Sequence, residues 1–596
     1  MDKKEFSDKA EPVKESVLPG TKIPAKDAEP DQAINIAHRL TVMAQKYPEE
    51  IAIAEPRFTK KRWGLFSRKP LRDNQGKRLY KTITFRELDQ DSDRIAQALL
   101  AAGFEPGMKI ALMVRMGIDF ISLVFALFKA GTILILIDPG MGVKKMLQCL
   151  READPDGFAA IPAVHTVRKF LPGWFPHADK NLIVGGSSLF GKLTLSKIRK
   201  RSWEKPVLTA KHWDDPAAII FTSGSTGPAK GVLYTHRIFN TQVDEIAARY
   251  EIVPGAVDLA GFPFFGLFNA AMGTTAIIPD MDPTRPASVD PVLFLEAAND
   301  WKITQSFGSP ALWNRVVHYC KENGKSIPTL KRAISAGAPV PFRLLEDFIQ
   351  CIHPEGNIYT PYGATESLPV ASIDAHEILE ETANKTRLGA GICVGRRFSK
   401  IEWKILPITD QPIEHLEEVE PLPPGKIGEL TVCGPQITAR YITRVEANKT
   451  AKIRDQYGRI WHRIGDVGYL DEQDRFWFCG RKAHRAETKN GPLFSIPCEA
   501  IANEHPRVFR SALVGIPAES EEGSEPVIIV EPFPEYWPKN QQERDLLIKE
   551  VLALLEKSEI TRSIRKVLIH PKFPVDIRHN AKINREQLAQ WAKKYL

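Results

Sequence analysis

The chain has 596 residues, of which 43% are hydrophobic, 26% charged and 9% aromatic; these are globular proportions, with material for several domain-sized units. They exclude a fibre or a disordered scaffold. The net charge of +8 is local: between Arg57 and Arg78 nine Lys or Arg stand against one acid, Asp73, and the rest of the chain is neutral. A nucleic-acid-binding protein is basic across a face or a domain, so no nucleic-acid partner is expected.

Seven cysteines are scattered, the nearest pair nineteen residues apart, which gives neither a metal-binding CxxC nor a disulfide framework. Free thiols in a reducing cytoplasm fit this usage. The opening MDKKEFSDKAEPVKES is charged throughout and is not a secretory signal. The most apolar stretch, Phe120 to Ile137, contains Lys129 and Gly131 and divides into a buried helix and a buried strand, not a membrane span.

In chain order, residues 1–31 are rich in Lys, Glu, Asp and Pro without apolar periodicity and read as a disordered tail. A helix is expected from Gln32 to Tyr47. The basic segment 57–78 then interrupts a strand pairing and interleaves Phe58, Trp63, Leu65 and Phe66 with its cations. It reads either as a contact with an anionic membrane surface or as a solvated hairpin insertion. Helix 85–103, strand 109–114, helix 117–131, strand 132–137 and helix 142–153 follow, an alternation that predicts an α/β core with parallel strands. Past residue 370, segments 390–405 and 427–434 are strand-rich with Gly and Pro and suggest a small β-subdomain. After Phe478 the pattern returns to α/β. The expected layout is therefore a tail (1–31), a large N-terminal domain (32–479) of stacked α/β subdomains plus a β-subdomain, and a small mobile α+β domain (480–596).

The most informative segment is IIFTSGSTGPAKGV, 219–232: an apolar strand, a loop of Thr222, Ser223, Gly224, Ser225, Thr226 and Gly227, then Lys230. Glycines let backbone N–H groups converge on an anion, hydroxyls add donors and the lysine adds charge. Lys230 comes three positions after Gly227, not directly after it, and VLYTH reads as a strand, so this is not the NTPase phosphate loop. No G-x-G-x-x-G follows a strand, and Ser223 takes a glycine position of a nucleophile elbow. On spacing alone the loop is either a phosphate cradle or a structural turn.

FTSGSTGPAKGV resembles the signature loop of the adenylate-forming superfamily, which includes acyl-CoA synthetases, firefly luciferase and peptide-synthetase adenylation domains. The resemblance recurs in order: SAGAPV (335–340) is similar to the adenine-binding segment, YTPYGATES (359–367) to the Tyr-Gly-x-Thr-Glu motif, and GELTVCGPQ (428–436) with WHRIGDVGYLDEQDRFWFCGRK (461–482) to the ribose region and hinge. NAKINRE (580–586) resembles the segment holding the catalytic lysine.

The resemblance implies ATP and Mg²⁺ as cofactors and a carboxylate that attacks the α-phosphorus to give an acyl-adenylate and pyrophosphate. Positive charge and alignment dominate such catalysis. By resemblance, the loop 222–227 and Lys230 cradle the β and γ phosphates, Glu366 holds Mg²⁺, Thr365 touches the α-phosphate and Tyr362, beside Gly363, stacks on adenine. Gly337, Ala338 and Pro339 form the adenine wall, Asp466 accepts the ribose hydroxyls, Arg481 contacts the ribose, and Lys582 bridges carboxylate and α-phosphate. In isolation Asp466 reads equally as a turn cap, Lys582 as a surface lysine and Tyr362 as core.

Three departures from the superfamily pattern stand out. Gly266 takes the place of a histidine that gates the acyl pocket, Ala483 follows GRK, and the loop between Gly491 and Glu499 is one residue longer than usual. That loop lines the CoA path, so use of CoA is in doubt. PFFGLFNAAMGTTAIIPDMDPTRPASVDP (263–291), GAGICVGRR (389–397) and FPVDIRHNAKI (573–583) resemble the olefin β-lactone synthetase branch. This implies a 2-alkyl-3-hydroxy fatty acid whose own hydroxyl closes a β-lactone and expels AMP. Enzymes of an olefin pathway would be partners, and the protein would be cytoplasmic, peripheral to the inner membrane face. A long-chain fatty-acid–CoA or acyl-carrier-protein ligase is the alternative. Phe264, Phe265, Gly266, Phe268 and Met272 are the acyl-pocket candidates, or equally core.

Overall fold

A computed structural model describes residues 29–58, 70–186, 193–202, 205–222, 228–262, 265–517, 523–575 and 583–595. The expected tail falls almost wholly outside them, but its last residue does not. Asp31 exchanges two 3.0 Å backbone hydrogen bonds with Lys211 and caps the short helix Gln32–Ile34. The expected first helix is broken after that turn, because Asn35 uses its side-chain amide on the carbonyls of Phe128 and Thr209. The helix proper is His38–Lys46.

The predicted alternation builds a six-stranded sheet. Its order is Lys180–Ile183, Gly157–Ala160, Lys109–Met113, Ile133–Leu136, Pro216–Phe221 and Gly231–Thr235, parallel except for the last strand. Crossover helices cover such a sheet, so its strands are buried runs and not alternating ones. Helix Ile118–Lys129 is buried along its length, which accounts for the most apolar stretch of the sequence. Among the described residues no helix is long and apolar enough to cross a membrane. Helix Phe85–Ala101 packs beside it and starts in a capping box, Thr84 with Glu87.

A second, fourteen-stranded sheet has a parallel centre: Thr275–Ile277, Val257–Ala260, Gln305–Gly308, Arg332–Ser335 and Asn357–Ala364. It turns antiparallel at Ser367–Asp374 and continues through Ile392–Arg397 into Arg475–Arg481, Ile460–Leu470, Gly428–Cys433 and Glu402–Leu406. The strands expected in a β-subdomain are thus hydrogen-bonded into the large sheet. The join is narrow, two residue pairs, Ala371 with Arg397 and Ser372 with Arg396. Strand pattern alone carries no record of which neighbour a strand pairs with.

The basic segment extends the hairpin of Ile51–Pro56 and Tyr80–Thr84 through bridges Phe58–Pro70 and Arg72–Arg78. Arg72 pairs with Glu296 and the buried Arg78 with Asp280, so these two cations dock the hairpin on the protein. Residues 59–69, with most of the cations, lie outside the described residues.

Strand Arg475–Arg481 runs through Gly480 before the turn Lys482–His484. Beyond it, strands Val508–Pro517, Ser524–Pro532 and Lys566–Ile569 pack with helices Ser495–Asn503, Gln541–Glu556 and Arg585–Ala592. Leu513, Ile528, Leu547 and Val551 are buried in a core belonging to this unit. All seven cysteines are free and buried.

One buried ion cluster fixes the first sheet's helices. Lys129 is 0% exposed, and its Nζ lies 2.7 Å from both Asp89 and Asp93. Removing one member of a buried pair leaves uncompensated charge. Lys129→Met is expected to cost about 3–5 kcal/mol, seen as an earlier unfolding transition in urea. Burial already raises the Asp93 pKa, with Lys129 opposing it, so loss of the lysine raises it further. An acid with a raised native pKa takes up a proton on folding, so the deficit should shrink as the pH falls toward the unfolded value of about 3.9. A deficit independent of pH would contradict this assignment.

Candidate active site

The Gly/Ser loop joins two antiparallel strands of the first sheet, Pro216–Phe221 and Gly231–Thr235. Ser223, Gly224, Ser225, Thr226 and Gly227 lie outside the described residues. The mouth of the loop is pinned: the Thr222 N–H donates to the Lys230 carbonyl at 3.0 Å, and the Lys230 N–H donates to the Thr222 hydroxyl at 3.1 Å. The expected strand after Lys230 is present.

Tyr362, Gly363, Thr365 and Glu366 occupy the end of strand Asn357–Ala364 and its turn into Ser367–Asp374. Gly363 is required for packing, since a Cβ there would lie 2.5 Å from the Ser367 carbonyl. The Thr365 carbonyl accepts the Tyr234 hydroxyl at 2.6 Å, which ties this turn to the strand leaving the Gly/Ser loop. The Glu366 carbonyl accepts from Thr438 twice, N–H at 3.0 Å and hydroxyl at 2.9 Å. Its carboxylate accepts the Tyr441 hydroxyl at 2.7 Å. Burial, with the Glu366 charge adding to it, raises the Tyr441 pKa and keeps the phenol a donor.

Around the Tyr441 ring stand two ammonium groups, Lys230 Nζ at 4.8 Å and Lys452 Nζ at 5.6 Å from its centroid. Lys452 donates to the carbonyl and hydroxyl of Thr438. Burial pushes its pKa down to about 7; Glu366 pulls it up and Lys230 pushes it down. Tyr441, Thr438 and Lys452 were missed in the sequence. They fall just past the matched segment that ends at Gln436, where no phosphate chemistry is visible in ITARYITRVEANKTAKIRD.

Asp466 and Arg481 face each other as register partners on adjacent strands, with Arg481 Nη1 2.9 Å from Asp466 Oδ1. That contact is charge against charge without hydrogen-bond alignment, and it leaves Oδ1 an unfilled acceptor. The Tyr362 hydroxyl donates to the other oxygen, Oδ2. Burial raises the Asp466 pKa, opposed first by Arg481. Tyr362, expected against adenine, thus packs its ring 5.8 Å from Phe476 and 6.2 Å from Phe478 and hydrogen-bonds the carboxylate expected at the ribose. Gly337, Ala338 and Pro339 lie in the loop after strand Arg332–Ser335, where Gly337 takes φ +96°, a left-handed value that suits glycine.

The acyl-pocket candidates are divided. Phe264 lies outside the described residues. Phe265 and Gly266 open helix Phe265–Met272, where Phe268 is half-buried against Phe239 and Met272 is buried in the main core. Lys582 lies outside the described residues, but its surroundings do not. Val575 bridges Ile583, Asn584 caps helix Arg585–Ala592, and Arg585 pairs with the buried Glu499 at 2.7 Å. Glu499 also accepts the Leu513 N–H, so the segment carrying Lys582 is anchored through Arg585 to the end of the lengthened 491–499 loop.

The donor set fits ATP with a hard cation. Asp466 has an open acceptor where ribose hydroxyls are expected. Among the described residues no three His, Cys, Asp or Glu converge to cage a metal. A cation held by Glu366 would complete its shell with ligand oxygens and water, as Mg²⁺ does at phosphates.

Known proteins resemble this chain along most of its length. The chain is 41% identical over 564 residues to the olefin beta-lactone synthetase of Xanthomonas campestris pv. campestris, covering 94% of this chain and 97% of that protein. It is also 41% identical to the olefin beta-lactone synthetase of Stenotrophomonas maltophilia, covering 94% and 98%. The fold is similar to that of o-succinylbenzoate coenzyme A synthetase from Bacillus subtilis, solved with ATP and magnesium ion: TM-score 0.66, 20% identity, 92% of this chain and 98% of that one. Residues 45–442 match the AMP-binding enzyme family, and with its candidate site assembled inside and just beyond that span, the chain belongs to that family.

Proposed function

We propose that the protein activates a long-chain 2-alkyl-3-hydroxy fatty acid as its acyl-adenylate and then closes it to a β-lactone with release of AMP. The single observation that carries this reading is the 41% identity, over 94% of the chain, to a named olefin beta-lactone synthetase. The altered 491–499 loop supports it, because closure by the substrate's own hydroxyl needs no second substrate.

In this reading Thr222 to Gly227 and Lys230 hold the β and γ phosphates. Mg²⁺ at Glu366 supplies charge neutralisation at the phosphate oxygens. Asp466 and Arg481 orient the ribose, Gly337 to Pro339 wall the adenine, and Tyr362 and Thr365 line the nucleotide. The C-terminal unit, 480–596, moves as a body and delivers Lys582 to the carboxylate and the α-phosphate. In the second step the 3-hydroxyl oxygen bonds to the activated carbonyl carbon and releases its proton to water, the carbonyl–phosphate oxygen bond breaks, and AMP leaves. Enforced proximity of hydroxyl and carbonyl offsets part of the ring strain. Phe264, Phe265, Gly266, Phe268 and Met272 would border the alkyl branches. A doubly alkylated substrate partitions into membranes, which suits a cytoplasmic protein touching the inner face through 57–78. Its partners would be the enzymes that make the hydroxy acid and consume the lactone.

Purified protein should convert a synthetic 2-alkyl-3-hydroxy fatty acid, ATP and Mg²⁺ to β-lactone and AMP equally with and without CoA, read by mass spectrometry. The analogue lacking the 3-hydroxyl should give adenylate and no lactone. A thioester formed only with CoA would sink this reading in favour of an acyl-CoA ligase. Lys582→Ala should lower adenylate formation by about 10²-fold or more, as for loss of a donor to transition-state charge. AMP affinity should stay unchanged in that variant; parallel loss of AMP binding would mean that Lys582 serves structure.

A further inference from the structure

We propose that Lys452 is an additional cation of the polyphosphate site, binding the pyrophosphate that leaves when the adenylate forms. This rests on the adenylate-forming reading above, and it places a phosphate ligand outside every signature segment of the sequence.

The argument is one of charge without a counter-charge. Lys211, which is also buried, gives its ammonium to the Gly131 carbonyl at 2.9 Å, but three other buried cations have carboxylates in contact. Lys129 has Asp89 and Asp93, Arg463 has Glu429, and Arg475 has Glu377, Glu381 and Asp471. Among the described residues no carboxylate lies within 4 Å of the Lys452 ammonium. Its protein partners are neutral oxygens, both on Thr438. An ammonium has three N–H donors, so one remains beyond those two contacts. A desolvated amine held only by neutral acceptors gives up its proton readily, and an anion that joins it restores the charge.

Position identifies that anion. Lys452 and Lys230 flank one ring, Tyr441, whose hydroxyl holds the Glu366 carboxylate. Lys230 closes the Gly/Ser loop, and Thr438, which orients Lys452, also fixes the Glu366 carbonyl. Two like charges are therefore gathered beside one carboxylate, at the place where the loop meets the Glu366 turn. A di- or triphosphate with its cation supplies the missing negative charge, and its oxygens accept charge-assisted hydrogen bonds. AMP carries only the α-phosphate, expected at Thr365, and lacks the β and γ phosphates expected beside Lys230, so Lys452 should discriminate pyrophosphate and ATP from AMP.

The test compares wild type with Lys452→Gln, which keeps a donor toward Thr438 but loses the charge, and with Lys452→Met and Lys452→Arg. Binding of Mg²⁺-pyrophosphate and of AMP is measured by calorimetry, alongside thermal melting and the KM for ATP. The Gln and Met variants should bind pyrophosphate about tenfold more weakly, roughly 1.4 kcal/mol. They should raise the KM for ATP by a similar factor, bind AMP as wild type does and melt normally. The Arg variant should stay near wild type in pyrophosphate affinity. Unchanged pyrophosphate affinity in a folded Gln variant overturns the proposal. So does parallel loss of AMP binding or a depressed melting temperature in both uncharged variants, since Lys452 would then be a structural anchor. If the wild type itself binds neither ligand, it is the adenylate-forming reading that fails.

Discussion

The strap 437–443 is what the site depends on, because its backbone bridges a strand of each of the two sheets. Val232 of the first sheet bridges Tyr441, and Ser367 of the second bridges Ile437. Gly231 donates to the Thr443 hydroxyl at 2.8 Å and accepts from the Ile442 N–H at 2.9 Å. At the other end, the Glu366 carbonyl takes both donors of Thr438. The phosphate loop leaves the first sheet and the Thr365–Glu366 turn belongs to the second. Their spacing is set by this short piece of backbone together with the Tyr234 hydroxyl on the Thr365 carbonyl. Tyr441 finishes the connection by reaching from the strap to the Glu366 carboxylate. Catalysis by alignment tolerates little error in such spacing, and the join adds short, directional bonds to the apolar packing of Val232, Ile437, Tyr441 and Val370 in the shared core.

The charges around the strap are arranged for a guest. Glu366 is held by a phenol, not by a cation, so its negative charge remains for a metal. Asp466 touches Arg481 without an aligned hydrogen bond, so an acceptor oxygen stays open. Tyr362 covers the other Asp466 oxygen and keeps the carboxylate oriented in a buried setting that disfavours its charge. Each group is thus partly satisfied within the protein. Full internal pairing would rigidify the site and leave nothing for ligand, whereas no pairing would expose a buried charge at high cost.

Much of this was legible beforehand, for particular reasons. The first sheet was readable because its βαβ units are local: helix 117–131 and strand 132–137 appear as Ile118–Lys129 and Ile133–Leu136. The strand after Lys230 was readable from its run VLYTH. The pairing of Asp466 with Arg481 was not, although both were singled out, because register between strands leaves no mark on either sequence. Tyr441 and Lys452 were invisible for a different reason. Their role comes from what the strap is laid against, and a tyrosine or lysine in a polar stretch looks the same wherever it points. The continuity of the β-rich strands with the large sheet was hidden likewise, since two residue pairs decide it.

The attachment of the C-terminal unit shows the same economy of contact. Inside, that unit is closed by an apolar core of its own. At its junction with the rest, Ile501 and Ile560 lie against Gly389, and beside them Lys482 Nζ lies 2.9 Å from the Thr409 carbonyl and 3.2 Å from Glu429, while Arg485 reaches Asp410 at 3.2 Å. Glu429 is already held by the buried Arg463, so its hold on Lys482 is a shared one. Asp410 is largely exposed, and ion pairs in that setting contribute about 0–1 kcal/mol each. The proposed function has this unit move as a body, which suits a unit with an apolar core of its own. Motion about Lys482 is the step the proposed delivery of Lys582 needs, and Arg585, locked to Glu499, would carry the lysine's own segment along with it.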